Sequence, residues 1–380
     1  MTQKLYDMDS MMRNFDAQVL SCMPTQDAFA VILDRTAFYP EGGGQPCDTG
    51  VLGGARVLAV HERNGAIEHI VSSPLAIGTC VHGTIDWARR FALMQNHSGE
   101  HIVSGLVNRL HGFDNVGFHM GSDAMTIDFS GELHNDALTE IERLANDAVY
   151  ANLSIQTHFP SASELAAMHY RSKKELSGAV RIVCIEGIDS CACCGTHVLR
   201  TGAIGLIKIL SATRYKGGSR ISLLCGADAY ADYARKHEDI LTISRLLSAK
   251  PAETPQAVQA ILDAEHNLTG QILTLRQRIV ALLDAQTEVR NGIAIVFDQT
   301  LSPDDARQLC TQLGTRAKAA FVLVGTDAAG YQYVVVSADA NTFASALNTR
   351  FTGRGGGKPP MAQGQITGTR AEIEAFIGQL

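Results

Sequence analysis

Residues 86–110 read DWARRFALMQNHSGEHIVSGLVNRL. From about Ala88 to Leu110 this run contains no proline, and Ile102, Leu106 and Leu110 fall four apart on one ridge, so it predicts a helix. His97 and His101 are also four apart, and on a helix that spacing projects both imidazoles from one face, where two can grip a single ion. Before this helix, short apolar runs such as Ala28–Leu33 and Ala55–Val60 alternate with Gly-rich turns and predict a small β-barrel or sheet. After it, a helix fits Ala137–Leu153 and strands fit Arg181–Ile185 and Ile204–Ile209. The middle of the chain therefore reads as an α+β unit.

Beyond Gly226 the texture changes to long helical stretches joined at Pro251 and Pro255. Val258, Ile261, Glu265, Leu268, Ile272, Leu275, Ile279 and Leu282 alternate spacings of three and four, a coiled-coil-like seam with one polar member. A hairpin against the preceding helix, Tyr230–Leu247, and a homodimer through 258–282 fit this seam equally. From Asn291-Gly292 onward, strand, helix and strand alternate: IAIVF, a Pro303–Leu313 helix, AAFVLVG, YQYVVVS and an Asn341–Arg350 helix. A flexible Gly-rich loop then follows from Gly353 to Pro360. Its amides and the cations Arg354 and Lys358 could approach a phosphate backbone closely. The expectation is an α+β protein in four parts: a β-barrel-like domain over 1–87, a central α+β domain over 88–226, a helical connector over 227–290 and a C-terminal α/β domain over 291–380.

The 380 residues are 46% hydrophobic and 19% charged, a balance that suits packed domains and excludes a disordered or fibrous chain. No apolar run has membrane-spanning length, and the first residues lack a secretory signal. Nine cysteines, three of them crowded at 191, 193 and 194 beside His197, suit a metal site in a reducing compartment, so a cytoplasmic location is expected. The net charge of −7 argues against coating nucleic acid by bulk attraction. Three local basic clusters remain: Arg171 with Lys173 and Lys174, Arg214 with Lys216 and Arg220, and Arg350 with Arg354 and Lys358.

Cys193-Cys194-Gly195-Thr196-His197 adds a soft thiolate and a third imidazole to the His97/His101 pair. His97, His101, Cys193 and His197 together form a His3Cys set suited to one tetrahedral zinc ion, with Cys191 and Cys194 as rival thiolates. Four protein ligands close such a site, whereas a hydrolytic metal needs a free position. Zinc that only organises the site and zinc that acts in catalysis both remain open.

These residues, together with Asp34-Arg35-Thr36-Ala37-Phe38-Tyr39-Pro40-Glu41-Gly42-Gly43-Gly44-Gln45-Pro46, Asp86-Trp87, Thr201-Gly202 and Ile204-Gly205, resemble the free-standing alanyl-tRNA editing proteins, the AlaX group in its long form. The C-terminal part resembles the DHH-associated domain, including the Arg354-Gly355-Gly356-Gly357 loop. The resemblance covers nearly the whole chain. It implies hydrolysis in trans of the ester joining serine or glycine to tRNA for alanine, with alanyl-tRNA spared. It also implies that Thr36 contacts the extra hydroxyl, that Gln45 lies near the scissile ester, that Gly42, Gly43 and Gly44 hug the acceptor end, and that Arg354 to Lys358 meet the tRNA body. Cys194 stands where the family usually has glycine, and so does Cys47. Two rival readings exist. His97-Ser98-Gly99-Glu100-His101 fits the H-x-x-E-H pattern of inverted zinc peptidases, with Glu100 as base, and an inactive, zinc-stabilised tRNA-binding protein would keep the ligands alone. His119 is a spare acid–base candidate.

Overall fold

The structure, a computed structural model, describes residues 1–121, 123–172 and 180–380; Lys173 and Lys174 of the first basic cluster lie outside the described residues. The chain forms two compact units, Met1–Leu241 and Thr242–Leu380. It is a mixed α+β protein with several sheets.

In the first unit, the strand Asn14–Pro24 opens with alternating polar and apolar residues, and Phe15, Ala17 and Val19 turn inward. That period of two demands one buried face. The strand pairs antiparallel with Phe29–Leu33 on one side and Cys80–Ile85 on the other. The strands Ala66–Val71, Ala55–Arg63 and Gly50–Leu52 complete a ring of six around a core that includes Val31, Leu33, Phe38, Leu52 and Ile67.

The histidine-bearing helix spans Trp87–His111. Asp86 caps it by accepting from the Arg89 amide, and Gly112 ends it in the left-handed conformation at φ 70°. From Met94 to Val107 every residue is buried, polar ones included. Its glycines let neighbours approach: a Cβ on Gly99 would lie 2.3 Å from Cys225 Sγ, and one on Gly105 would lie 2.5 Å from the Ile188 carbonyl oxygen. Around it stand a four-stranded sheet in the order Ile207–Tyr215, Gly218–Cys225, Met125–Phe129, Asn115–Met120, and a three-stranded sheet of Ile155–His158, Ile182–Ile185 and Asp189–Ala192. The strand expected over Ile204–Ile209 begins only at Ile207. Thr201–Ile204 forms a 3-10 turn, and Gly205, at φ 85°, breaks the chain direction between them.

The second unit contains the long helix Thr254–Gln286 and a six-stranded sheet in the order Val289–Arg290, Ile293–Asp298, Ala319–Thr326, Gly330–Ser337, Met361–Ile366, Arg354–Lys358. Alternate residues of its central strands feed two cores: Phe321 and Leu323 face the helices Ala340–Arg350 and Arg370–Ile377, while Ala320 and Val322 face Pro303–Leu313 and Val280. One expectation changes here. The Gly-rich segment is not a flexible loop: Arg354–Lys358 is a strand, antiparallel to Met361–Ile366. Glycine is what allows that pairing, since a Cβ on Gly355 or Gly357 would fall within 2.4 Å of a backbone carbonyl oxygen. The aliphatic members of the 258–282 seam are all exposed.

Candidate metal centre

One ligand atom each from His97, His101, Cys193 and His197 gathers within 4.8 Å of the others. Cys193 Sγ lies 3.3 Å from His97 Nε2 and 3.5 Å from His197 Nε2. The second nitrogen of each imidazole meets a specific partner. Gln45 Oε1 accepts from His97 Nδ1 at 2.8 Å, and because the same oxygen also accepts the Thr196 amide, it can only be a carbonyl. His97 therefore donates through Nδ1, which leaves Nε2 as the nitrogen turned toward Cys193. Asp189 Oδ2 plays the same part for His101 Nδ1 at 2.8 Å, and Arg171 clamps the carboxylate, donating from Nε to Oδ1 and from Nη2 to Oδ2, both at 2.7 Å. His197 Nδ1 lies 3.4 Å from Ser98 Oγ. Partners of this kind fix tautomer and ring direction for metal ligation.

The chemistry of the set fits a metal ion. His101 Nε2 is fully buried with no hydrogen-bond partner among the described residues, an expensive orphan unless a cation meets it. Burial alone would raise the Cys193 thiol, but the surrounding imidazoles of His97, His101 and His197 hold it well below its ordinary value, as a thiolate. Burial likewise opposes charge on His101, yet Glu100 and Asp189 raise it. Burial and the nearby imidazoles push His197 down to about 3, so it is neutral. Of the rival thiolates, Cys194 is exposed and outside the four-residue group, and burial pushes Cys191 up to about 11.

The ligand turn is braced from three directions. Arg181 donates to the Cys193 and Gly195 carbonyls at 2.9 and 2.8 Å, Ser10 Oγ donates to the His197 carbonyl at 2.8 Å, and Gln45 Nε2 donates to Thr196 Oγ1 at 2.9 Å. A Cβ on Gly195 would sit 2.1 Å from His97 Cε1, so no other residue fits there. The wall between ring and helix is closed by Arg90, fully buried, which grips the equally buried Asp48 and donates to the Ser10 and Ala37 carbonyls.

The remaining sequence candidates fall in distinct places. Gln45 is buried, with its amide hydrogen-bonded to His97 and Thr196. Gly42 and Gly43 are exposed. Gly44, at φ 86°, is pressed against the neighbouring strand, where a Cβ would lie 2.6 Å from the Phe118 carbonyl oxygen, and the Phe118 ring stacks on His97 at 5.0 Å. Thr36 is fully buried: its Oγ1 lies 2.8 Å from His69 Nε2 and accepts the Phe38 amide at 3.1 Å. Glu100 is buried, with Oε1 held by Ser104 and Asn115, which makes it a brace between the helix and strand Asn115–Met120. His119 is exposed and outside the cluster. Arg354, Gly355, Gly356, Gly357 and Lys358 are all exposed on the terminal sheet edge. Among the described residues of the other basic clusters, Arg171 pairs with Asp189, Arg214 with Glu132 and Arg220 with Asp128. Asp189, Ser98, Arg181, Arg90, Asp48 and His69 escaped sequence reasoning. Only Asp189, four residues before Cys193, carried a signal: a carboxylate beside a ligand turn.

No helix among the described residues is long and apolar enough to cross a membrane. Residues 8–89 match the family described as tRNA synthetases class II (A), residues 180–222 the threonyl and alanyl tRNA synthetase second additional domain, and residues 290–379 the DHHA1 domain. An alanine–tRNA ligase of Pyrococcus furiosus is 32% identical over 99% of this chain, which covers 43% of the ligase. The Halobacterium salinarum ligase is 32% identical over 88% of the chain and 38% of its own length. The chain thus spans less than half the length of these ligases. The alanyl-tRNA editing protein Aarsd1 of Mus musculus is 28% identical over 97% of the chain and 96% of its own length, and that of Danio rerio 26% over 97% and 95%. The chain is similar to the alanyl-tRNA editing proteins over nearly its whole length and to part of the alanine–tRNA ligases.

Proposed function

We propose that this protein hydrolyses, in trans, the ester joining serine or glycine to the terminal adenosine of tRNA for alanine, and spares the alanyl ester. The observation that carries the reading is the aimed ligand set: three imidazoles and one thiolate converge, with the far nitrogens of the imidazoles met by Gln45, Asp189 and Ser98. Relatives named for alanyl-tRNA editing support the substrate. The mixed nitrogen and sulfur donors favour one zinc ion per chain. Bound there, zinc supplies a fixed positive charge and Lewis acidity toward an ester oxygen.

The chain's own residues do the positioning. Gln45 and Asp189 hold the rings of His97 and His101, and Gly195 leaves room for His97. Thr36 acts on selectivity through hydrogen-bond polarity. His69 Nδ1 faces the Val31 carbonyl at 3.1 Å and must donate to it, so Nε2 accepts the Thr36 proton. With Phe38 N–H already donated to it, Thr36 Oγ keeps only an acceptor lone pair. Thr36 is fully buried, so this contact requires the surrounding side chains to part on substrate entry; a serine hydroxyl can then donate to that lone pair and an alanine methyl cannot, which is the kind of asymmetry that editing needs. Exposed Gly42 and Gly43 suit the acceptor end, while the edge of Arg354–Lys358, with two cations and three glycines, suits the tRNA body. Two linked contacts would make the second one intramolecular. We retain the four-part division at 87, 226 and 290 for this reading, and a cytoplasmic location, which suits nine free thiols.

The test is deacylation of seryl-, glycyl- and alanyl-tRNA for alanine by purified protein, beside a His97→Ala/His101→Ala variant, with zinc content measured for both. Release of serine or glycine with alanine spared, lost in the variant, is the expected result. A zinc-loaded parent that releases none of them would overturn hydrolysis and leave a tRNA-binding protein.

A further inference from the structure

We propose that residues 2–13 act as a strap whose docking is coupled to occupation of the metal centre, with Ser10 as a positioning residue for the ligand His197. The coupling rests on the metal reading of the site. The segment has little structure of its own. Gln3–Lys4 adds two residues of strand beside Arg35–Thr36, Leu5–Met8 makes a single turn of helix, and Met8 and Asp9 are exposed. A stretch with so few local bonds is held by what it touches, and it opens as a unit when those contacts go.

Those contacts converge on the site. Thr2 Oγ1 donates to the Leu33 carbonyl at 3.1 Å, and Lys4 lies in register with Thr36. Leu5 and Met12 pack on the core of the six-stranded ring, whereas Met11 packs on the core around the histidine-bearing helix. Ser10 ties the two together: its carbonyl accepts from Arg90 Nη1 at 3.1 Å, and its Oγ donates to the His197 carbonyl at 2.8 Å. Asp7 adds a second tie. Its Oδ1 stands 3.8 Å from Arg181 Nε, a buried nitrogen with no hydrogen-bond partner among the described residues, and Nη1 of the same guanidinium holds the Cys193 and Gly195 carbonyls. Ser10 is thus one hydrogen bond from one ligand residue, and Asp7 one arginine from another. A bound ion fixes the turn that carries Cys193 and His197, and the fixed turn gives Ser10 its acceptor. Strap and ion order the same backbone, so each favours the other by the same factor.

The test uses the full chain and zinc alone. Affinity is read by competition with a chromogenic chelator, and hydrogen exchange is followed over residues 2–13 with and without zinc, with the strand Ala66–Val71 as internal reference. In the parent, zinc should slow exchange in the strap and leave Ala66–Val71 unchanged. Ser10→Ala should weaken zinc binding roughly fivefold, the equivalent of one side-chain hydrogen bond, and abolish the slowing. Ser10→Thr, which keeps a hydroxyl, should restore both. Strap exchange indifferent to zinc, or parental zinc affinity in Ser10→Ala, overturns the coupling. A loss in Ser10→Ala that Ser10→Thr does not recover is an effect of packing and overturns the positioning role. A parent that binds no zinc overturns the metal reading itself, and the coupling with it. None of these readouts depends on tRNA hydrolysis.

Discussion

Replacing Gln45 by leucine separates a residue that aims a metal ligand from one that touches the ester. The side chain makes three buried hydrogen bonds: Oε1 accepts from His97 Nδ1 at 2.8 Å and from the Thr196 amide at 3.1 Å, and Nε2 donates to Thr196 Oγ1 at 2.9 Å. Leucine leaves two donors without an acceptor, at about 1–3 kcal/mol each where water cannot reach them. Part of that cost appears as lost stability. The part that lets His97 turn appears as metal affinity, for which loss of such a partner costs typically ~10–100-fold, or about 1.4–2.8 kcal/mol. Gln45→Glu keeps an acceptor toward His97 and the Thr196 amide, so it should hold the ion nearly as well as the parent. The assay is competition for zinc with a chromogenic chelator, run beside deacylation of seryl-tRNA. If Gln45→Leu binds zinc as tightly as the parent while hydrolysis collapses, the positioning argument is wrong and Gln45 acts on the ester itself.

Further consequences are open to measurement. Arg90→Met removes the cation paired with buried Asp48 and should destabilise the first unit by about 3–5 kcal/mol in denaturant unfolding; a loss below about 1 kcal/mol would mean that the pair is not sealed from water. Gly195→Ala places a methyl 2.1 Å from His97 Cε1 and should weaken zinc binding at least tenfold, whereas Gly43→Ala, with nothing within 4 Å of the added Cβ, should cost only the strain of φ 60° and leave zinc binding intact. Burial pushes His69 down to about 4 in the folded protein, against 6.5 ordinarily. The unfolded chain therefore takes up this proton first as pH falls, and stability should drop by up to about 3 kcal/mol between pH 6.5 and 4. His69→Gln should flatten that part of the stability–pH profile; an unchanged slope would place its origin elsewhere.

Periodicity made much of the architecture legible. The Pro303–Leu313 helix begins and ends at the bounds read from the sequence, because the Ser302 and Asp305 capping box and the apolar ridge are both local in sequence. The four candidate ligands were legible for a similar reason: a helix fixes the i, i+4 relation of His97 and His101, and a short Gly-containing turn fixes that of Cys193 and His197. What spacing could not show is anything decided by close approach between distant segments. The Arg354–Lys358 segment reads as a loop because glycine has low strand propensity, yet it pairs because the neighbouring strand leaves no room for a Cβ. Choosing Cys193 over Cys191 and Cys194 needed the folded electrostatics, since all three look alike in a row. Gln45 looked like a group waiting for substrate until the fold carried it 52 residues along the chain to His97 and turned its carbonyl inward. The sequence by itself determined which residue types could hold an ion and on which local elements they stand. Only the tertiary structure decided which oxygen meets which nitrogen, because hydrogen-bond polarity, burial and steric exclusion act between residues that are neighbours in space and strangers in sequence.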